Sequence, residues 1–403
     1  MMKLNTMRTR LDGLVIFRGI LQANIVPAFR AMLAAAGSED FVSAAADFEN
    51  RSEEHTSEHQ LFERGGSWTR VLLDAVLQDE NICIRKAASG GAGQPAARCM
   101  DSELEFLQQL SRVTLVDLTG GEESLAFLPR WETEEVDFAA AYAERLAEVG
   151  QKGYGMFARH HMFTIEDGSL IPVRFPDPQR LSELPGYEHE REKVIANTKA
   201  LLSGKPAVNV LLYGDAGTGK SSSVKAIANE FAADGLRLVE VKKNQLYQIP
   251  ALLDSLAQNP LKFILFIDDL SFSANDDNFA ALKAILEGSV GGRSQNVVVY
   301  ATSNRRHLIK ETLSDRSGDD IHEADTRQEL MSLSARFGLT VTFQRPDKVR
   351  FEEILLDLAK QYGVQMPSDQ LFIKGEAFAI RAGGRSPRVA RQFIELLSAG
   401  VRL

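Results

Sequence analysis

Up to about residue 158, apolar positions recur at three- and four-residue spacing, the period of helices that bury one face. ANIVPAFRAMLAAAG, SWTRVLLDAVLQDEN, DSELEFLQQLSRV and VDFAAAYAERLAEVG each follow it, and ASGGAGQPAA between two of them reads as a flexible loop. Strand-like runs then flank Asp167-Gly168 in HMFTIEDGSLIPVRF, a hairpin signal. The Pro-punctuated PDPQRLSELPGYEHEREKV leads on into a charged helix.

From residue 205 the pattern changes to short continuous apolar runs, VNVLLY, LRLVEV, KFILFID, NVVVYATS and LTVTF, most of them separated by helix-like segments. Such runs predict a parallel sheet with helices on both faces. After Pro346 only helical periodicity remains, in KVRFEEILLDLAKQYG, SDQLFIKGEAFAIRAG and SPRVARQFIELLSAG. The pattern therefore divides the chain into a mainly helical N-terminal domain (1–158), a hairpin and linker (159–185), an α/β core (186–345) and a small helical domain (346–403).

Composition narrows the class without changing this layout. Among 403 residues, 44% are hydrophobic and 25% charged, as in a folded globular protein, and the net charge of −9 speaks against a uniformly basic nucleic-acid coat. Cys83 and Cys99 lack CxxC spacing and fit a reducing compartment. The early run LDGLVIFRGILQANIVPAF is broken by Arg18, Gln22, Asn24 and Pro27, so neither membrane insertion nor a signal peptide is expected and the cytoplasm is the expected location. RSEEHTSEHQ (51–60) has no apolar face; it reads either as a solvated charged segment or as translated adapter sequence, and neither His55 nor His59 is taken as a ligand.

The chemistry lies in two stretches. LLYGDAGTGKSSSVKAI carries G-x-x-x-x-G-K-S from Gly214 to Ser221, between a predicted strand and a predicted helix. In that context the loop residues Gly214, Asp215, Ala216, Gly217, Thr218 and Gly219, with Lys220, Ser221 and Ser222, form a phosphate cradle of backbone amides at a helix N-terminus. Lys220 is expected to reach the β- and γ-phosphates and Ser221 to ligate Mg²⁺. KFILFIDDLSF runs an apolar strand into two carboxylates, Asp268 and Asp269, whose burial would be costly without a cation. Asp268 is accordingly expected to hold the Mg²⁺ shell, and Asp269 to orient or activate the attacking water. Glutamate is more usual at the second position; aspartate is one methylene shorter, so slow turnover is expected unless the backbone moves closer or Glu287 contributes.

This combination resembles the AAA+ ATPases over roughly residues 180–403, with an AAA+ P-loop core and a C-terminal helical lid. The wording of FIDDLSF, YATSNRRHLIKE and SLSARFGLTVTF is similar to a bacterial AAA+ family known only as a domain of unknown function (815). The resemblance implies that Asn304, ending VVVYATSN, is the sensor-1 residue near the γ-phosphate; a strand-end helix cap is the other reading. It implies that Arg336 in SLSARFG is an arginine finger for a neighbouring subunit, against the reading of an exposed arginine at a helix end. GGRSPRVARQF matches sensor 2: Ser386 caps, Pro387 takes the first helical position, and Arg388 in the first turn opposes the helix dipole unless an anion compensates it. Arg391 is the alternative, and Gly186 and Tyr187 in the linker are the implied adenine contacts.

No N-K-x-D or T-K-x-D guanine motif occurs, so ATP with Mg²⁺ is the expected ligand. The leading functional reading is an ATPase that forms a homo-oligomer and remodels or loads a partner, protein preferred over nucleic acid on the −9 charge. The alternative is a nucleotide-dependent switch or scaffold with negligible hydrolysis. A small-molecule P-loop kinase is disfavoured by the sensor-like Asn304 and Arg388.

Overall fold

The computed structural model describes residues 4–22, 25–54, 67–89, 94–128, 130–270, 277–287, 295–304 and 336–401. Residues Met1–Arg159 and His160–Leu403 form two compact units.

The first unit is helical. Its four predicted segments are helices, and their apolar faces meet around an aromatic cluster in which Phe29 stacks on Trp68 at 4.1 Å, with Phe48 and Trp131 set against the pair. The Trp68 and Trp131 indole N–H groups donate to the carbonyls of Leu110 and Val113, so neither ring leaves a polar atom stranded in the core. The sequence-predicted loop ASGGAGQPAA is shorter than its composition suggests: the helix Gln94–Leu110 begins inside it, with Pro95 in the first turn, where a missing N–H costs nothing.

The second unit is a seven-stranded sheet in the order β2-β1-β4-β5-β6-β3-β7. Its strands are β1 (Met162–Glu166), β2 (Ser169–Pro172), β3 (Val210–Gly214), β4 (Leu236–Glu240), β5 (Lys262–Ile267), β6 (Val297–Ser303) and β7 (Leu339–Phe343). All the pairings are parallel except that of β1 with the edge strand β2. The hairpin thus differs from its sequence placement in a connection before the core. Its turn forms at Asp167-Gly168, both with positive φ, and β1 then pairs with β4 and extends the sheet. Apolar residues on both faces of β1, Met162, Phe163 and Ile165, are buried there.

β5 is buried along almost its whole length, as its unbroken apolar run requires. β3 lies between β6 and β7, and the connection leaving it crosses to β4 on the far side. It is therefore the strand at which chain direction across the sheet switches, where crevices open at the carboxyl ends of parallel strands. Three helices, Lys348–Gln361, Ser368–Arg381 and Pro387–Ser398, close the unit and pack through Phe351, Ile354, Leu355, Phe393 and Ile394 into the same core.

Candidate nucleotide site

The site forms where β3, β5 and β6 end together. β3 gives way at Gly214 to the loop 215–219, and the helix Lys220–Glu230 starts directly behind it. Gly214 has φ +139, and a side chain there would run into the Phe343 carbonyl of β7, so only glycine lets the two strands approach. The Asp215 N–H donates to Phe343 O at 3.0 Å and the Asp215 carboxylate accepts from the Arg345 N–H at 2.7 Å. The Asp215 side chain is thus engaged in holding the loop to the end of β7.

Lys220 is almost fully buried. Its ammonium donates to the carbonyls of Gly214 (3.0 Å) and Asp215 (2.7 Å) and to Asn304 Oδ1 (3.0 Å). Burial pushes its pKa down, while Asp215, Asp268 and Asp269 pull the other way. An arriving polyphosphate would add to that pull, so the lysine is set where an anion relieves its desolvation.

The two aspartates are not buried in the apolar interior; both are exposed at the mouth of β5, where the strand stops pairing. The expectation that Asp268 needs a cation to offset burial is therefore corrected. Its Oδ1 already accepts from the Ser221 hydroxyl at 2.6 Å and from the Thr302 hydroxyl at the end of β6. Asp269 has a left-handed backbone, φ +51, and its carboxylate accepts from Asn304 Nδ2 at 2.8 Å. Asn304 thus bridges Lys220 and Asp269, which favours the site reading of this residue; residues 305–308, which would carry the competing cap, lie outside the described residues.

A cleft of about 390 Å³ opens over these groups, within the roughly 300–1,000 Å³ of small-molecule pockets. Its lining includes Ala216 to Ser222, Asp268, Asp269, Thr302, Asn304, Arg388 and Arg391. The helix Pro387–Ser398 starts on the cleft wall: Ser386 accepts from the Val389 N–H at 3.2 Å, and the Arg388 N–H donates to Gly217 O at 3.2 Å. Arg388 therefore stands beside the phosphate loop. Arg391, one turn on, reaches the Glu183 carbonyl at 3.5 Å and lines the same cleft.

Two linker residues meet different ends. The reading of Tyr187 as an adenine contact is corrected for its side chain. The ring is fully buried, stacks on Phe343 at 5.3 Å, lies under the Arg350 guanidinium and donates its hydroxyl to Gln344 O at 2.5 Å. Gly186 packs its α-carbon against Ile354. The linker side of the cleft is lined instead by Gln179, Leu184, Pro185 and the buried Arg191, which donates to Leu184 O at 2.6 Å.

Arg336 precedes β7, whose Leu339 pairs with Val210, the first residue of β3, while Phe343 pairs with Gly214. It thus sits at the amino end of the strands, opposite its own phosphate loop. The rest of SLSAR, residues 332–335, lies outside the described residues, as do residues 55–60 and 305–310 and the side chain of Glu287.

Hard oxygen donors fit magnesium here. Ser221 Oγ and Asp268 Oδ1 are 2.6 Å apart, close enough to share one small cation's shell, with remaining positions left to phosphate and water as Mg²⁺ prefers. No cluster of three His, Cys, Asp or Glu side chains suited to a metal occurs among the described residues.

A parallel sheet with its phosphate loop at the switch strand, paired acids ending the strand next but one and a helical lid define an AAA+ P-loop core, and with it a nucleotide-dependent protein of that class. A family model described as "Protein of unknown function (DUF815)" matches residues 157–401, and the chain belongs to that family. Curated relatives include a Holliday junction branch migration complex subunit RuvB from Bdellovibrio bacteriovorus, 27% identical over 221 residues, 54% of this chain and 62% of that protein. A replication factor C large subunit from Thermofilum pendens is 29% identical over 119 residues, 27% of this chain and 28% of its own. The chain thus spans less than two thirds of the length of these relatives. Among solved structures, the Thermotoga maritima RuvB Holliday junction branch migration motor aligns with 56% of this chain and 67% of that one at 19% identity, with a TM-score of 0.37. No helix among the described residues is long and apolar enough to cross a membrane.

Proposed function

We propose that this protein binds ATP with Mg²⁺ in the cleft and hydrolyses it, driving the remodelling or loading of a partner. The supporting observation is the chain of contacts Ser221–Asp268 and Lys220–Asn304–Asp269, which gathers metal donors, a phosphate-binding cation and a base at one sheet end.

In this reading the backbone amides of 215–222 and the ammonium of Lys220 bind the phosphates. Ser221 and Asp268 hold the metal, which supplies charge neutralisation at the phosphates. Asp269 orients the attacking water and accepts its proton, and Asn304 fixes the Asp269 carboxylate. Arg388 enters from the lid beside Gly217, where it can sense the γ-phosphate. Arg336 serves the site of a neighbouring copy in a homo-oligomer, so turnover rises with assembly. The partner is a protein on the −9 net charge; the names of the RuvB and replication factor C relatives make nucleic acid the second class to test.

Asp269→Asn separates an engine from a switch. The expected result is Mg²⁺-dependent ATP hydrolysis by the wild type, a roughly hundredfold slower variant, and retained ATP binding by the variant. Equal, near-zero rates in both would favour the switch. A pull-down with the ATP-loaded variant then identifies the partner class.

A further inference from the structure

Thr302 has no assigned role above, yet the turn that carries both carboxylates is built on it. It is 2% exposed near the carboxyl end of β6. Its hydroxyl donates to Asp268 Oδ1 and accepts the Asp269 N–H at 2.9 Å, and its carbonyl accepts the Leu270 N–H at 2.7 Å. One residue thus engages three in succession. Regular pairing of β5 with β6 reaches Ile267 opposite Ala301. One step beyond, a side-chain hydroxyl takes the place of a main-chain acceptor, and Asp269 goes into the left-handed region, φ +51, which aspartate tolerates better than most residues. Its carboxylate then meets the Asn304 amide at 2.8 Å, and that amide's oxygen meets Lys220 at 3.0 Å.

We propose that Thr302 is a positioning residue that sets the reach of Asp269, so that an aspartate serves where a residue one methylene longer is usual. This deepens the ATPase reading and rests on it. The hydroxyl is needed in both directions: donating, it fixes the metal-side carboxylate; accepting, it fixes the turn that aims the base. Although Thr302 lines the cleft, it is 2% exposed and both tasks act through Asp268 and Asp269, so it should govern kcat far more than ATP affinity.

The test compares Thr302→Val, which keeps the shape and loses the hydroxyl, with Thr302→Ser, which keeps the hydroxyl. Hydrolysis is measured on the full chain at a temperature where circular dichroism shows all variants folded. T302V is expected to lower kcat roughly 10- to 100-fold, as about 1 Å of misplacement does, with KM for ATP within about twofold. T302S is expected to stay within about threefold of wild type, and Asp269→Glu added to T302V to recover part of the loss. In hydrogen exchange, peptides spanning 266–270 should lose protection in T302V and keep it in T302S. Wild-type kcat in T302V, an equal loss in T302S, or a rise in KM alone would overturn the proposal. Absence of hydrolysis in the wild type would overturn the ATPase reading instead, and equal protection in the two variants would then refute the clamp itself.

Discussion

Two acidic side chains, one in each unit, show how differently a carboxylate can be used. Glu103 is buried in the helical unit, where it accepts from three consecutive backbone amides, Val15 (2.7 Å), Ile16 (3.1 Å) and Phe17 (3.0 Å). Asp268 stands exposed at the end of β5 and accepts from two hydroxyls, those of Ser221 and Thr302, and from one main-chain donor, the N–H of its neighbour Asp269 at 3.2 Å. Backbone amides cannot be released without unfolding the segment that carries them, so Glu103 is a structural clamp. A serine hydroxyl can turn its lone pairs to a metal while staying beside the acid, so on the proposed reading Asp268 is the carboxylate open to ligand exchange. The nature of the donors, more than the depth of burial, separates the two roles.

Lys220→Ala gives the largest effect that tests this contrast. Removing the cation that bridges the loop and Asn304 should reduce Mg²⁺-dependent ATP turnover by roughly 100- to 1,000-fold, with the melting temperature little changed or raised, because a desolvated charge disappears with it. An ATP hydrolysis assay, isothermal titration with ATP and a thermal melt read turnover, affinity and stability in turn. An undiminished affinity would remove the basis for assigning the cleft to nucleotide.

Glu103→Ala is the mirror experiment. It strands the buried amides of Ile16 and Phe17 and should cost about 2–4 kcal/mol in a urea titration, while KM and kcat for ATP, read at low temperature where the variant stays folded, remain at wild-type values. A change in ATP kinetics without a loss of stability would break the division between a structural and an exchangeable carboxylate.

The parts of the fold and site that could be read from sequence are those governed by local periodicity or by a fixed spacing. The loop from Gly214 to Ser221 and the acids ending β5 are contiguous in sequence, and the structure brings them to one sheet end. The Ser386–Pro387 start of the last helix is equally local, and the cap forms. What could not be read depends on pairing between distant segments. Nothing near Thr302 says that its hydroxyl would serve residues 268 and 269, because that contact exists only once β5 and β6 lie side by side in one register. Tyr187 shows the converse: its place next to a Pro-Gly turn suggests exposure, but the lid packs over it and takes the ring into the core. The hairpin strand β1 was legible as a strand, whereas its neighbour, β4, lies some seventy residues away.

The smallest effect probes the helical unit through a second acid. Asp79 is nearly buried, with one carboxylate oxygen against the α-carbon of Gly19 and the other accepting from Asn81 Nδ2 at 3.2 Å. Burial, more than its acidic neighbours Glu80 and Glu103, raises its pKa from 3.8 to about 6. The folded state therefore binds this proton more tightly than the unfolded chain does. Between about pH 4 and pH 6 the native form carries more protons, so its stability falls as pH rises through that window and levels off above it. Asp79→Asn keeps the shape and removes the charge. It should leave stability unchanged near pH 4 and add about 1 kcal/mol at pH 7, after allowance for solvent screening. Denaturant titrations of wild type and variant at the two pH values measure the difference. A gain of the same size at both would show that packing, not ionisation, separates them.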